Sequence, residues 1–243
     1  MIEAPIPDSE EARLRALHQL EILDTEVEEG FDSIVNAAAL VCGAPISLIS
    51  LVDTDRQWFK ANVGLKEAKE TPRHDAFCSH AILQDGLFEV PNALEDERFH
   101  DNPLVAGDPN IRFYAGAPLA VAGGAHVGTL CVIDHVPRTL SALQKQVLLQ
   151  LAKAASQLME MRRMARHAEH NAAQFQALSE ASPLGIYAAD PQGACTYTNA
   201  VWQRVFGMTA AQSLGAGWTA TLHPEDAPQV FSQWQACESP LVF

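Results

Sequence analysis

The chain has 243 residues, 48% of them hydrophobic and 19% charged, values ordinary for a globular protein of one or two domains. Sixteen basic against 30 acidic residues leave a net charge of −14, which excludes broad nucleic-acid binding and docking on an anionic membrane. No apolar run approaches the length of a membrane span, and the acidic, proline-bearing start MIEAPIPDSEEARLR lacks the sections of a signal peptide, so the expected location is the cytoplasm. Cys42, Cys78, Cys131, Cys195 and Cys237 are widely spaced and form no CxxC pair, which fits reduced thiols and offers neither a disulfide frame nor a zinc site.

Residues 9–20 predict a helix with Ser9 as N-cap and Leu14, Leu17 and Ile22 as its apolar stripe. Asp24 and Thr25 break it and are placed to cap the next helix, 28–42, in which Phe31, Ile34, Val35, Ala38 and Val41 lie at helical spacing and Gly43 is the stop. Residues 45–52 and 57–63 read as strands joined by a turn at Asp53, Asp55 and Arg56. Residues 72–75 read as loop, 76–84 as a short helix and 87–91 as a short strand. Residues 96–102 read as one helical turn closed by Asn102-Pro103, with a turn at Gly107-Asp108-Pro109. Two apolar runs follow, 111–121 and 126–134, separated by Ala122-Gly123-Gly124-Ala125. The Gly pair suits a tight hairpin turn, and the runs are too apolar for simple alternation, as in central strands covered on both faces.

From Ser141 to Ser182 there is neither Gly nor Pro, and one long helix is expected. Val147, Ala154, Met161, Ala168 and Phe175 recur every seven residues, interleaved with Leu151, Leu158, Ala165 and Ala172, the pattern of a coiled-coil seam. The competing reading is an amphipathic helix packed on its own domain. The seam reading predicts a parallel homodimer, weakened by its alanines and so able to shift. Beyond Pro183, strands are expected at 185–189 and 194–198 around an Asp-Pro-Gln-Gly turn. A helix capped by Asn199 carries Trp202, Val205 and Phe206 and ends at Gly207, and another helix after His223-Pro224-Glu225-Asp226 carries Val230, Phe231 and Trp234.

The motifs PISLISLVD, RQWFKANVGL, FCSHAI, DERFHDNPLV, IRFYAGAPL and GTLCVID, in that order, resemble those of GAF domains, the small-molecule-sensing modules of bacterial signalling proteins, over roughly residues 10–158. SPLGIYAAD, the WQRVFGMT helix and HPED are similar to the first half of a PAS domain. The resemblance implies an α+β architecture: a GAF-like antiparallel sheet flanked by helices (1–140), a signalling helix or coiled-coil linker (141–178) and a partial PAS-like α+β unit (179–243). Leu241-Val242-Phe243 could begin the next PAS strand, so an output domain, a histidine kinase or a diguanylate cyclase, is expected beyond this sequence.

The same resemblance implies a ligand cavity near residues 77–84 and 99–112. Trp58, Phe59, Phe77, Cys78, His80, Arg112, Phe113, Tyr114 and Cys131 are its candidate lining, and Arg112 is the candidate anchor for an anionic group. Cys78 and His80, two apart on a helix, point away from each other and read as structural. Cys131 reads as core, although a Cys78–Cys131 pair would permit redox chemistry. The bilin-binding, methionine-sulfoxide-reducing and cyclic-nucleotide-binding patterns of the family have no match here. No catalytic constellation, metal site or cofactor is identified. The expected protein is therefore a sensor and relay for an unknown small molecule. A thiol-based redox enzyme or sensor and a ligand-free dimerisation scaffold are the alternatives.

Overall fold

The computed structural model describes residues 1–65 and 69–236, with the side chains of Phe231 and of residues 233–236 excepted. The expected strand at 241–243, Cys237 and the side chains of Phe231 and Trp234 lie outside the described residues. The chain divides into two compact units, residues 1–166 and 167–243.

In the first unit, helices α1 (Glu10–Gln19) and α2 (Glu29–Cys42) precede a six-stranded sheet. Its strands are β1 (Ile46–Val52), β2 (Arg56–Val63), β3 (Glu70–Pro72), β4 (Phe88–Val90), β5 (Phe113–Ala120) and β6 (His126–Asp134), in the order β3-β2-β1-β6-β5-β4, with every neighbouring pair antiparallel. Short helices α3 (Phe77–Ala81) and α4 (Pro103–Ala106) lie in the long connections. The central hairpin forms because Gly123 and Gly124 take φ of 84° and 80°, which a residue with a Cβ adopts only with strain. β1 and β6 are buried almost throughout, as their unbroken apolar runs require.

Helix α5 (Ala142–Ala181) begins in this unit. Its Leu148, Ala152, Ala155 and Met159, spaced one helical face apart, are buried with Leu17 of α1, Phe31 and Val35 of α2, and Trp58, Phe113, Ala115 and Val132 of the sheet. Gly30 lets α2 and α5 approach, since a Cβ there would lie 2.9 Å from Leu158. Part of α5 is thus the domain-packing helix of the competing sequence reading. Of the residues assigned to the dimer seam, Val147, Leu151 and Leu158 are half-buried, while Ala154, Met161 and Ala165 are exposed.

The structure corrects four details of the sequence reading. Asp24 and Thr25 do not cap α2; Glu28 holds the N-cap position, and the Thr25 hydroxyl donates to the Ile22 carbonyl. Ser9 stands at the N-cap of α1 without a side-chain hydrogen bond. Residues 96–102 form hydrogen-bonded turns rather than a helix, and Asn102-Pro103 opens α4, because Asn102 accepts from the Leu104 N–H and Pro sits in the first turn. Residues 70–72 pair with β2 as β3, so Pro72, expected in a loop, ends a strand.

The second unit contains the end of α5, the hairpin β7 (Tyr187–Ala189) and β8 (Cys195–Thr198), and helices α6 (Ala200–Phe206), α7 (Ala210–Ser213) and α8 (Ala227–Ala236). Asn199 organises it. Its Oδ1 accepts from the backbone N–H of Ile186 and Trp202, and its Nδ2 donates to the carbonyls of Ser179 and Leu184. Trp202, Trp218 and Cys195 form the small core, with Tyr187, Met208, Leu222 and Val230 packed against it. Among the described residues, no helix is long and apolar enough to cross a membrane.

Candidate functional site

The sheet has two unlike faces. Opposite the helices lies a second apolar cluster, built from Ile46, Leu48, Phe59, Tyr114, Cys131 and Ile133 on the strands and Phe77, Ile82, Phe99, Val105 and Ile111 outside them. It does not close completely. A cavity of about 420 Å³ remains, lined by Ile46, Leu48, Gln57, Phe59, Thr71, Phe77, Cys78 and Tyr114, with the exposed Asp108 and His135 at its edge. That volume lies in the range of small-molecule sites. A separate shallow groove beside Glu180, Pro183 and Val205 in the second unit opens to solvent.

At one end of the cavity four polar groups converge on one sulfur. The Tyr114 hydroxyl donates to Cys78 Sγ at 3.2 Å and the Thr129 hydroxyl at 3.0 Å. The Cys131 thiol and the Ser50 hydroxyl face the same atom, the latter without a fully formed hydrogen bond. Burial alone would raise the Cys78 pKa. Donation by Cys131, Thr129 and Tyr114 outweighs it and brings the thiol down to about 7. Hydrogen bonding to Cys78, with burial, pushes Cys131 well above its ordinary value, so Cys78 is the first of the pair to ionise. Tyr114 reaches the sulfur only because residue 116 is Gly, since a Cβ there would stand 2.2 Å from the tyrosine oxygen.

Of the candidate residues, Phe77, Cys78, Phe59 and Tyr114 line the cavity, and Cys131 stands behind Cys78. Trp58 and Phe113 do not. Both are buried on the helix-covered face, because β2 and β5 alternate and each lies one position from a cavity residue. His80 faces away, donating from Nε2 to the Ile2 carbonyl and packing edge-on against Phe99 at 4.9 Å. Arg112 is not among the residues that line the cavity. Its guanidinium donates to the carbonyls of Val105 and Ile111 and ties down the loop beside the cavity. Sequence reasoning overlooked Gln57; its one signal was its two-residue spacing from Phe59, which puts both on one face of the strand.

A chain of ionic contacts ties strand β2 to the helices. β2 carries a bulge, because Ile49 pairs with Ala61 and Ser50 with Phe59, leaving Lys60 unmatched. Alternation from Phe59 puts Lys60 on the helix side, and the bulge keeps Ala61 there too. The Lys60 ammonium group donates to Glu28, the Thr25 hydroxyl and the Glu26 carbonyl. Glu28 also accepts from Arg162 of α5 at 2.8 Å, and Arg162 reaches the carbonyls of Leu20 and Glu21. Burial raises the Glu28 pKa, and its bonds to Lys60 and Arg162 more than reverse that. Glu160 of α5 accepts from the Ala122 N–H in the hairpin turn. Among the described residues no group of three or more His, Cys, Asp or Glu is placed to hold a metal.

An antiparallel six-stranded sheet with helices on one face and a cavity on the other is the arrangement of a sensory module, and the chain belongs to the GAF domain family, whose model matches residues 26–159. The model of the PAS fold matches residues 179–238. Both modules are regulatory rather than catalytic. The chain is 50% identical over 138 residues to a cyclic di-GMP phosphodiesterase of Pseudomonas aeruginosa, a match covering 57% of this chain and 23% of that protein. It is 22% identical over 147 residues to an uncharacterized protein of Sinorhizobium fredii, covering 60% and 17%. The matches thus span less than a quarter of either relative. Among solved structures, the GAF domain of an Acinetobacter phosphoenolpyruvate-protein phosphotransferase is 20% identical, with 64% of this chain and 95% of that one covered at a TM-score of 0.48. A domain of a putative two-component sensor histidine kinase from Sinorhizobium meliloti 1021 is 17% identical, covering 60% and 99% at 0.46.

Proposed function

We propose that the chain is the sensing and relay region of a signal-transduction protein, in which a small molecule enters the GAF cavity and changes how α5 pairs with a second copy. The carrying observation is that β2 serves both sides. Gln57 and Phe59 face the cavity, and the bulged Lys60 holds Glu28, which holds Arg162 of α5. A ligand that favours one setting of this strand biases the helix, and only such a difference in affinity can transmit a signal. The exposed Ala154, Met161 and Ala165 leave a stripe of α5 free for a parallel partner helix. The output is a histidine kinase or an enzyme of cyclic di-GMP turnover, the latter supported by the Pseudomonas aeruginosa relative, and the protein acts in the cytoplasm.

Light scattering on the chain and on Ala154→Glu and Met161→Glu tests the relay. A dimer that both variants split into folded monomers supports it. A wild-type monomer, or a dimer indifferent to both charges, rejects it in favour of a scaffold or a monomeric sensor.

A second reading rests on the sulfur cluster. A peroxide would oxidise the Cys78 thiolate to a sulfenic acid as its O–O bond breaks, and the Cys131 thiol would displace water from that sulfur to form a disulfide, two thiols and one peroxide giving a disulfide and two waters. Thiol titration before and after peroxide decides it. Loss of two thiols in the wild type, absent in Cys131→Ser, supports a redox sensor; unchanged titration removes that reading.

A further inference from the structure

Gln57 is 5% exposed and lines the cavity, yet only one end of its amide is engaged. Its Nε2 donates to the Thr71 hydroxyl at 3.3 Å, while its Oε1 is buried with no hydrogen-bond partner. Buried acceptors are seldom left unmade, because an unmet carbonyl loses its hydration and gains nothing in return. The residue lines the cavity while the unmet oxygen is itself enclosed, so a turn of the amide brings it to an occupant that can complete it.

The other walls restrict that occupant. Ile46, Leu48, Phe59, Leu65, Ile111 and Ile133 present only carbon. Among the described lining residues none is Lys or Arg, and the carboxylate at the edge, Asp108, repels an anion. Arg112, the one cation expected there from the sequence, is not among the lining residues, and its Nη1 donates to backbone carbonyls.

On the reading that this cavity is the sensor's ligand site, we propose that it selects an uncharged, largely apolar small molecule that donates one hydrogen bond to Gln57 Oε1, as an aromatic N–H does. The Thr71 hydroxyl can donate as well as accept. An amide turned over would present its NH₂ group instead and select an acceptor, which makes donor against acceptor the decisive comparison.

The test is titration of the whole chain, followed by NMR, with four probes: benzene, indole, benzofuran and indole-3-carboxylate. Benzene asks only whether the apolar space is open. Benzofuran keeps the shape of indole and replaces the N–H by an acceptor. The expected result is that benzene binds, indole binds roughly 3- to 10-fold tighter than benzofuran, and the carboxylate binds weakest. Gln57→Met, of similar volume and without the unmet oxygen, is expected to fold and to abolish the preference for indole. Equal or tighter binding of benzofuran, or tightest binding of the carboxylate, overturns the proposal while leaving the cavity as a ligand site. Failure of all four probes, benzene included, overturns both. The wild-type comparison stands even if the variant fails to fold.

Discussion

On one face of the six-stranded sheet, three helices bury Leu17, Phe31, Val35, Leu148 and Met159 against the strands. On the other, a five-residue helix and the connecting loops cover the same strands and leave about 420 Å³ unfilled. The helix-covered face resembles an ordinary protein interior, in which apolar side chains interlock and polar groups are few. The open face keeps Gln57, Ser50, Thr129, Tyr114 and two thiols at its walls. A face that keeps a cavity gives up contacts that would stabilise it. It can do so because the opposite face supplies the stability. The first unit therefore sets a filled core and a cavity on opposite sides of one sheet, and β2, with its bulge at Lys60, is where the two meet.

The sharpest way to break this comparison is to remove one phenylalanine from each face. Phe31 is fully buried among the helices, and Phe31→Ala should cost about 3–5 kcal/mol of stability in urea unfolding. Phe59 already borders empty space and has fewer contacts to lose, so Phe59→Ala should cost only about 1–3 kcal/mol, because the cost follows how well the site relaxes. Equal losses would mean that the cavity face is as tightly built as the other. Next in size is Gly116→Ala, whose Cβ would press on the Tyr114 ring and hydroxyl. About 1–3 kcal/mol should be lost to overpacking. The Cys78 thiol, deprived of a donor, should ionise at higher pH, read from the pH dependence of alkylation.

Smaller still is the contribution of the ionic frame beside α1. Burial raises the Glu10 pKa, but Arg13 and Arg73 overcome it and hold the carboxyl at about 2, against 4.5 when free. A depressed carboxylate stabilises the fold above its free value, and that stability is lost as pH falls from about 4.5 towards 2. Glu10→Gln should therefore flatten the acid side of the stability curve by about 1–2 kcal/mol, a figure reduced for partial exposure. An unchanged acid limb would show that these arginines contribute little.

Much of the scaffold was legible because the signals were local. Gly43 and Gly207 end helices in the left-handed conformation, and the Gly123-Gly124 turn with its two apolar runs declares the central hairpin. Asn199 reads as a cap for the same reason. What was hidden depends on partners distant in sequence. β3 is three residues, Glu-Thr-Pro, with no apolar pattern, and it exists because β2 has a free edge. Asn102-Pro103 carries the same residues whether it closes a turn or opens a helix. The site was half legible. FCSHAI and IRFYAGAPL brought Phe77, Cys78 and Tyr114 to one place, but a strand apolar on both sides does not say which face Trp58 takes, and nothing near Arg112 announces its carbonyl partners.

The contrast between filled and unfilled faces recurs on α5, where the smallest effect is expected. Met159 is fully buried against the sheet, whereas Met161, two residues on, is 67% exposed. Residues two apart on a helix point to nearly opposite sides, so both observations follow from one helix lying flat on its domain. Met161→Ser removes no intradomain packing, and the stability of the isolated chain should stay within about 0.5 kcal/mol of wild type. Its self-association should weaken, because the side chain lost is one that a partner helix would cover. Sedimentation across a dilution series reads the second effect, and urea unfolding reads the first. A variant that loses stability without losing association would place Met161 inside its own domain and reverse the assignment of the two sides of the helix.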